Sequence, residues 1–297
     1  MSEPKQSDAT TEVDVGGRTL RLSNLDKVLY PATGTTKAEV MHYYLTVQAR
    51  LLAVAGLRPI TRVRFPEGVG AAPFFEKNLP AGAPEWVPRF CTTHRDERRL
   101  CYPLLEPDSA PALLTWLAQL AVLELHVPQW QVVEGVPAPP DRLVVDLDPG
   151  EPAGLAECCA VAELVRVALE HDGLRPWPVT SGSKGMQVYA AIPAGHRAGA
   201  DSAAYARGLA QTLAKALPDL IEWRMAKELR TGKVFVDWSQ NNPAKTTVAP
   251  WSLRGRERPT VAVPVSWEEV AAPLREQFTL DAALERISRT PTDPNRP

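Results

Sequence analysis

The chain has 297 residues, 44% of them hydrophobic and 23% charged, which is typical of a globular protein large enough for one substantial core. Its formal net charge is −2, so bulk charge does not recruit nucleic acid, and any such binding has to come from local basic clusters. No apolar stretch reaches the roughly 20 residues that cross a bilayer, and the first residues lack an apolar segment of signal-peptide length. These features predict a soluble, cytoplasmic protein with no membrane partner.

The four cysteines are Cys91, Cys101, Cys158 and Cys159. They form no C-x-x-C pair and two of them are adjacent, which indicates neither a zinc ribbon nor a disulfide framework. The pattern therefore favours a reduced cytoplasmic setting.

Residues 1–12 are predicted to be a disordered leader and residues 290–297 a tail, with a single domain over 13–289 between them. A proline-rich connector at 136–140 divides this domain into an N-terminal module, about 13–135, and a catalytic core, about 141–289.

In the N-terminal module the pattern predicts a hairpin near 12–22 and a helix that Thr36 caps and that runs to Leu51. A second helix is predicted over about 110–124, because leucine and alanine recur there at helical spacing.

The second half of the chain predicts the element order β-α-β-β-α-β. The strands and helices lie, in order, at 143–148, 153–171, 176–180, 186–192, 201–216 and 233–238. This is the split βαβ arrangement of an α+β protein, with helices on one face of the sheet.

Asp146 and Asp148 flank Leu147 near the end of the first of these strands. Side chains alternate across a strand, so both carboxylates face the same side. Two carboxylates this close repel each other unless a cation lies between them, and hard oxygen ligands suit Mg²⁺ or Mn²⁺. The alternative is a solvated strand end, because so short a motif also occurs by chance.

Asp237 ends the apolar strand at 233–238, where an unpaired charge is costly. One interpretation is a third carboxylate that completes a two-metal site with Asp146 and Asp148. The other is a turn residue that caps the following polar segment.

Ser181–Gly185 is a glycine-rich turn between two predicted strands. Its backbone amides suit an anion nest with Lys184 as a point charge, although an ordinary glycine hairpin with an exposed lysine fits as well. Farther along, residues 223–258 contain eight basic and three acidic residues, a net charge of +5. This window indicates phosphate binding, and its alternative is a solvated charged surface.

Seven ordered segments together resemble the polymerase domain of bacterial DNA ligase D, a branch of the archaeo-eukaryotic primase superfamily. The resemblance covers roughly residues 16–290, and the segments are Asn24–Pro31, Phe74–Lys77, Glu124–Trp130, Asp146–Pro149, Ser181–Gly185, Phe235–Gln240 and Lys245–Arg254. It implies a primase–polymerase fold, in which an N-terminal α/β module packs against a split βαβ (RRM-like) catalytic sheet.

The resemblance also implies a function: template-directed addition of nucleoside triphosphates, ribonucleotides preferred, to DNA ends or gaps in bacterial end joining. It implies two Mn²⁺ or Mg²⁺ ions as cofactors and DNA with 5′-phosphorylated ends or gaps as partner. Ku and a separate ligase are further implied partners of a nucleoid-associated monomer. The first residue, Met1, and the polar tail favour a stand-alone polymerase over a fragment of a larger ligase.

By position, the resemblance and the local chemistry assign candidate residues to three groups. The catalytic and metal-binding residues are Asp146, Asp148 and Asp237. The nucleotide-binding residues are His126, Ser181, Ser183, Lys184, Gly185, Gln240, Lys245, Ser252 and Arg254. The DNA-binding residues are Lys27, Lys37, Arg62, Arg64, Phe74, Phe75 and Lys77. For Phe74, Phe75 and His126 the alternative is an ordinary core position.

The sequence departs from the family pattern at Gln187, where the family usually has histidine. Glutamine donates a hydrogen bond but carries no proton charge near neutral pH, which puts triphosphate affinity in question. Two other functions stay open at this point. One is a metal-dependent phosphoesterase or nuclease, which shares two-ion chemistry. The other is a non-catalytic module that binds and bridges DNA ends.

Overall fold

A computed structural model describes residues 10–93 and 97–289. Residues 1–9 of the expected leader and the expected tail at 290–297 lie outside the described residues. The first strand begins at Thr10, so residues 10–12 are not part of a leader. Within the described ranges, no helix has both the length and the apolar character needed to span a membrane.

Seventeen strands are assigned in the described residues. In chain order they are β1 Thr10–Val15, β2 Arg18–Ser23, β3 Val28–Tyr30, β4 Thr35–Thr36, β5 Thr61–Arg64, β6 Phe74–Glu76, β7 Arg89–Thr93, β8 Arg99–Pro103, β9 Val122–Val127, β10 Val132–Val133, β11 Val136–Pro137, β12 Arg142–Pro149, β13 Pro176–Thr180, β14 Met186–Ala191, β15 Ile221–Glu222, β16 Val234–Asp237 and β17 Thr247–Val248.

Seven α-helices accompany the strands in the described residues. They are α1 Lys37–Ala55, α2 Ala110–Gln119, α3 Leu155–His171, α4 Arg197–Ala200, α5 Ser202–Ala216, α6 Trp267–Ala271 and α7 Leu280–Arg289. The start of α1 agrees with the sequence, because Thr36 and Glu39 form a reciprocal capping box that satisfies backbone amides at the first turn.

A five-stranded sheet in the order β13-β14-β12-β16-β15 forms the C-terminal part of the fold, and it is called the catalytic sheet below. Its first four strands, with α3 and α5, have the predicted β-α-β-β-α-β order, which confirms the split βαβ arrangement. Strand β15 adds a parallel edge that the sequence pattern did not predict, because it is only two residues long.

The two faces of the catalytic sheet have different environments. One face carries Leu143, Val145 and Leu147 and packs against apolar side chains of α3 and α5. The other face carries Val144 and Tyr189, which pack with Val248 of β17. This second face of the catalytic sheet therefore lies towards β17, and it is the face that carries Asp146.

A second sheet in the order β17-β9-β5-β6 faces the catalytic sheet, and it is called the N-terminal sheet. Although most of it comes from the N-terminal module, its edge strand β17 comes from the far side of the 136–140 connector. Trp251, Leu253 and Val263 are likewise buried in the core cluster built around α1 and α2. The end of the chain thus returns to join the two halves.

Two expectations are wrong in the N-terminal half. The second helix ends at Gln119, and residues 122–127 form β9 instead, after Ala121 turns the chain at a φ of 56°. In addition, Cys91 and Cys101 are disulfide-bonded, with Cα atoms 4.0 Å apart. They face each other in register across the β7–β8 hairpin, a proximity that their spacing alone does not reveal. Cys158 and Cys159 are free and buried.

Candidate active site

The three predicted carboxylates lie on two neighbouring strands of the catalytic sheet. Asp146 and Asp148 project from β12, and Asp237 ends β16 directly opposite Asp146 in the antiparallel register. Side chains opposite each other in such a pair share a face, so the fold brings all three to one side of the sheet. Leu147, between the two aspartates, points the other way into the core.

A cleft of about 230 Å³ opens above Asp146 and Asp148, between the two sheets. Polar side chains dominate its lining, which comprises His126, Asp146, Asp148, Ser181, Ser183, Gln187, Gln240, Thr246, Thr247, Val248, Arg254 and Arg256. Five of the predicted nucleotide-binding residues therefore share one cavity with two of the predicted metal ligands. These five are His126, Ser181, Ser183, Gln240 and Arg254.

The electrostatics of the carboxylates favour a cation. Burial raises the pKa of Asp146 well above its usual value, and the negative charges of Asp148 and Asp237 raise it further. Burial and Asp237 also raise the pKa of Asp148. Mutual repulsion of this kind is relieved by a positive ion, and carboxylate oxygens are the ligands that Mg²⁺ and Mn²⁺ prefer. The donor set thus fits such ions.

Asp237 is held by its own neighbours. Its Oδ1 accepts hydrogen bonds from the backbone N–H and the hydroxyl of Ser239, and its Oδ2 accepts one from Gln240 at 2.8 Å. In residues 10–93 and 97–289, no three His, Cys, Asp or Glu side chains are close enough together to hold a metal ion as they stand. Shared binding of one ion by all three aspartates therefore needs a shift of these side chains.

Gln187, the departure from the family pattern, lies opposite Asp146 on β14. Its side chain is buried, and its hydrogen bond to Asp146 lowers the pKa of that carboxyl, against the effect of burial. Its Oε1 accepts a hydrogen bond from the Tyr189 hydroxyl at 2.9 Å. Gln187 thus supports the first aspartate from the neighbouring strand.

The turn at 181–185 differs from the expected anion nest. Its Ser183 and Gly185 amides both donate to the Ser181 hydroxyl oxygen at 3.1 Å, so these amides are engaged within the turn. Lys184 is exposed and pairs with Glu151 at 2.9 Å, outside the cleft lining. Ser181 and Ser183 are therefore the members of the turn that face the cleft, and Lys184 does not in this conformation.

Two further predicted residues lie in the interior, contrary to expectation. Ser252 is fully buried, and its hydroxyl accepts from the Leu125 amide at 2.9 Å, so it supports β9 instead of touching a nucleotide. Arg62 is also fully buried, and it donates to the backbone carbonyl of Asn78. A side chain without exposed surface cannot contact DNA in this arrangement.

Lys245 is exposed, and its ammonium group donates to the Ser239 hydroxyl, which in turn donates to Asp237. It therefore lies beside the third carboxylate, although it is not part of the cleft lining.

The aromatic pair predicted to contact DNA is on the surface. Phe74 and Phe75 are 56% and 58% exposed, which excludes the alternative of two core phenylalanines. The Phe75 ring lies edge-on to His126, with centroids 6.2 Å apart. Beside them, Arg64 pairs with Glu76 at 2.9 Å, and Lys77 lines a neighbouring cavity of about 390 Å³.

Lys27 and Lys37 lie close together at the start of α1. Lys27 pairs with Glu67 at 3.1 Å, and Lys37 donates to the Ser23 carbonyl at 3.1 Å. Lys37 is only 5% exposed; its burial lowers its pKa, and the positive charge of Lys27 lowers it further. Two ammonium groups near enough to repel each other form a place where an anion is stabilised.

Sequence reasoning missed two residues that shape the cleft. Arg256 lines it directly. Glu124 is 8% exposed and pairs with both His126 and Arg254. Its signal was present: Glu124 and His126 are two apart in an otherwise apolar strand, so they share a face.

The chain is similar in sequence to bacterial LigD proteins. The sequence model of the primase–polymerase domain of LigD matches residues 36–295. The multifunctional non-homologous end joining protein LigD of Mycolicibacterium smegmatis is 47% identical over 271 residues, which is 90% of this chain and 34% of that protein. The bifunctional end joining protein LigD of Bacillus subtilis is 29% identical over 271 residues, covering 91% of this chain and 43% of that protein.

A solved structure agrees with the fold. The polymerase domain of Mycobacterium tuberculosis ligase D, determined in complex with DNA, superposes with a TM-score of 0.85 at 46% identity. The match covers 91% of this chain and 95% of that one. This likeness confirms the mixed α+β architecture.

Proposed function

This chain belongs to the LigD primase–polymerase domain family, and we propose that it is a template-directed polymerase that adds nucleoside triphosphates to DNA ends or gaps. The chain spans about a third of the length of its mycobacterial relatives, whose names assign them to non-homologous end joining. A role in end joining, with Ku and a ligase as partners, is accordingly part of the proposal.

The observation that carries the proposal is the register of β12 and β16, which sets Asp146 opposite Asp237 beside an arginine-containing cleft. Asp146, Asp148 and Asp237 would hold the divalent ions. Bound there, two such ions supply activation of the primer 3′-hydroxyl and neutralisation of the leaving group. Gln187 orients Asp146 by its hydrogen bond, and Ser239 and Gln240 orient Asp237.

The remaining cleft residues suit a triphosphate. Arg254 and Arg256 provide positive charge, and Ser181, Ser183 and Gln240 provide hydrogen-bond donors. Fixing the triphosphate against the primer end converts the reaction into an effectively intramolecular one, which is the main contribution a protein makes to phosphoryl-group transfer.

DNA would approach along the exposed aromatic edge. Phe74 and Phe75 offer flat apolar faces on which bases stack, a contact worth about 1–3 kcal/mol per base. Lys27 would bind the 5′-phosphate on the downstream side of a gap, and the charge of the buried Lys37 beside it would add to the attraction, because a phosphate relieves the repulsion between the two ammonium groups.

The experiment that tests this function is extension of a labelled primer on gapped DNA with Mn²⁺ or Mg²⁺, supplied with UTP or dTTP. We expect the primer to lengthen in the presence of nucleotide, about tenfold faster with UTP, since ribonucleotide preference is a property the family relationship implies. Faster incorporation of dTTP would remove the sugar preference and leave the polymerase proposal intact.

The same assay separates the two alternative functions. A phosphoesterase or nuclease shortens the primer whether or not nucleotide is present. A non-catalytic end-bridging module binds the gapped DNA and leaves the primer length unchanged. The arginine and hydroxyl groups that line the cleft beside the aspartates suit a triphosphate and so favour transfer over hydrolysis.

A further inference from the structure

Glu124 is an acid in an unusual position. It lies in the middle of β9, whose other residues except His126 are aliphatic, and its side chain is almost entirely buried. An ionised carboxylate in such a place is costly unless specific partners compensate for the lost water. Its contacts therefore explain why it is there.

The two carboxylate oxygens of Glu124 engage different partners. Its Oε2 lies 2.7 Å from His126 Nε2, and its Oε1 accepts from Arg254 Nε at 3.2 Å and from the Gly255 amide at 2.9 Å. Burial alone would raise the pKa of Glu124, but the His126 hydrogen bond and the Arg254 charge lower it to about 2. The carboxylate is thus ionised at any working pH.

Arg254 is held from two sides. Its Nε donates to Glu124 on the N-terminal sheet, and its Nη1 donates to the Ser181 carbonyl at 2.6 Å, in the turn of the catalytic sheet. Contacts at two nitrogens fix both the position and the plane of the guanidinium group. Arg254 consequently bridges the two sheets at the cleft.

His126 is oriented by the same carboxylate. The ionised Glu124 can only accept, so His126 donates its Nε2 proton to it. This contact selects the tautomer that carries its proton on Nε2. The edge-on contact with Phe75 restrains the ring further. One acid therefore sets the orientation of two side chains that line the cleft.

We propose that Glu124 is the positioning residue of the nucleotide site: it fixes the positions of His126 and Arg254 relative to each other so that both side chains contact the triphosphate. The inference rests on the proposed polymerase function and adds a role for a residue that need not touch the substrate. It differs from a merely structural role, in which Glu124 only neutralises a buried arginine.

The chain offers a matched control for that distinction. Glu222, on β15, is 3% exposed, pairs with Arg224 at 2.9 Å, and has a pKa lowered to about 2 chiefly by that arginine. It is a buried, arginine-paired carboxylate that does not line the cleft. Glu124→Gln and Glu222→Gln therefore impose similar chemical changes in different places.

The experiment measures KM and kcat for UTP on gapped DNA with Mn²⁺ for the unmodified protein and both variants, together with their unfolding temperatures. We expect Glu124→Gln to raise KM for UTP about tenfold, because a charge-assisted contact to Arg254 is lost, with little change in affinity for the DNA. Glu222→Gln should lower the unfolding temperature comparably and leave KM unchanged. An unchanged KM in Glu124→Gln would overturn the inference.

A double-mutant cycle with Arg254→Ala tests whether Glu124 acts through the arginine. In the Arg254→Ala background, Glu124→Gln should raise KM by a clearly smaller factor than in the unmodified protein, since one of the two residues it positions is gone. Fully multiplicative effects would contradict the inference. If Glu124→Gln does not fold, Glu124→Asp replaces it, because the shorter carboxylate cannot span both partners, and a normal KM there would be equally contrary.

Failure of the inference and failure of the proposed function remain distinguishable. If the unmodified protein incorporates UTP and the Glu124 variants do so with the same KM, only the positioning role is lost. If the unmodified protein incorporates no nucleotide, both are overturned.

Discussion

We expect the substitution Asp146→Asn to reduce nucleotide addition by about a thousandfold or more, because the amide keeps the shape of the side chain but removes the charge on which a divalent ion depends. Asp146 is the residue best suited to this test. It faces Asp237 across the strand pair, and its pKa is raised by burial and by both neighbouring aspartates. The measurement is the single-turnover rate of primer extension with saturating UTP and Mn²⁺.

The same substitution should leave the fold intact. Because the carboxylate is enclosed and repelled by its neighbours, its removal should leave the metal-free unfolding temperature equal to or above that of the unmodified protein. Affinity for gapped DNA should also persist. Asp219→Asn, at an exposed position before β15, is the control and should behave as the unmodified protein in every assay. Extension at a normal rate by Asp146→Asn would refute its assignment as a metal ligand.

A second large effect is expected at Gly185, which begins the return from the turn into β14. A Cβ added there would lie 1.8 Å from the carbonyl oxygen of Leu147 and 3.0 Å from the Pro149 ring. Leu147 separates Asp146 from Asp148, so any backbone shift that relieves the clash displaces both carboxylates. Gly185→Ala should therefore destabilise the protein by about 3 kcal/mol and reduce extension far more than it reduces DNA affinity.

The control for this steric argument is Gly70→Ala, since a Cβ on Gly70 meets no atom within 4 Å. That variant should unfold and extend primers as the unmodified protein does. Chemical denaturation, followed by the extension assay under native conditions, measures both consequences. A Gly185→Ala protein with normal stability would show that β12 and β14 separate easily at this point, against the packing described above.

The catalytic half of the fold was predictable because its signals are local. Alternation along 143–148 placed Asp146 and Asp148 on one face, and the order of strands and helices identified the split βαβ sheet. The split βαβ arrangement makes β12 and β16 neighbours, and their register then sets Asp146 opposite Asp237.

The errors arose where tertiary contacts decide the outcome. Residues 122–124 were predicted to belong to the second helix, but they enter a sheet because β9 pairs with β5 and β17. Arg62 and Arg64 are two residues apart on β5 and therefore share a face of the strand, yet the first is buried and the second is not. Ser252 looks like a phosphate donor in sequence, but its hydroxyl is used by the backbone of a distant strand.

The cysteine pair and Glu124 illustrate a further limit. Cys91 and Cys101 are ten residues apart, and only the hairpin register brings them face to face. Glu124 acquires its partner Arg254 from 130 residues away, where the chain returns to the N-terminal sheet. Partners of this kind follow from the topology and not from any nearby pattern.

Anomalous diffraction from crystals soaked in Mn²⁺ with a non-hydrolysable nucleotide and gapped DNA is the most direct test of the metal site. We expect manganese peaks within about 2.3 Å of carboxylate oxygens of Asp146, Asp148 and Asp237, with the Asp237 side chain turned from Ser239 towards the ion. Manganese bound elsewhere, with Asp237 still hydrogen-bonded as described and the cleft empty of metal, would contradict this expectation.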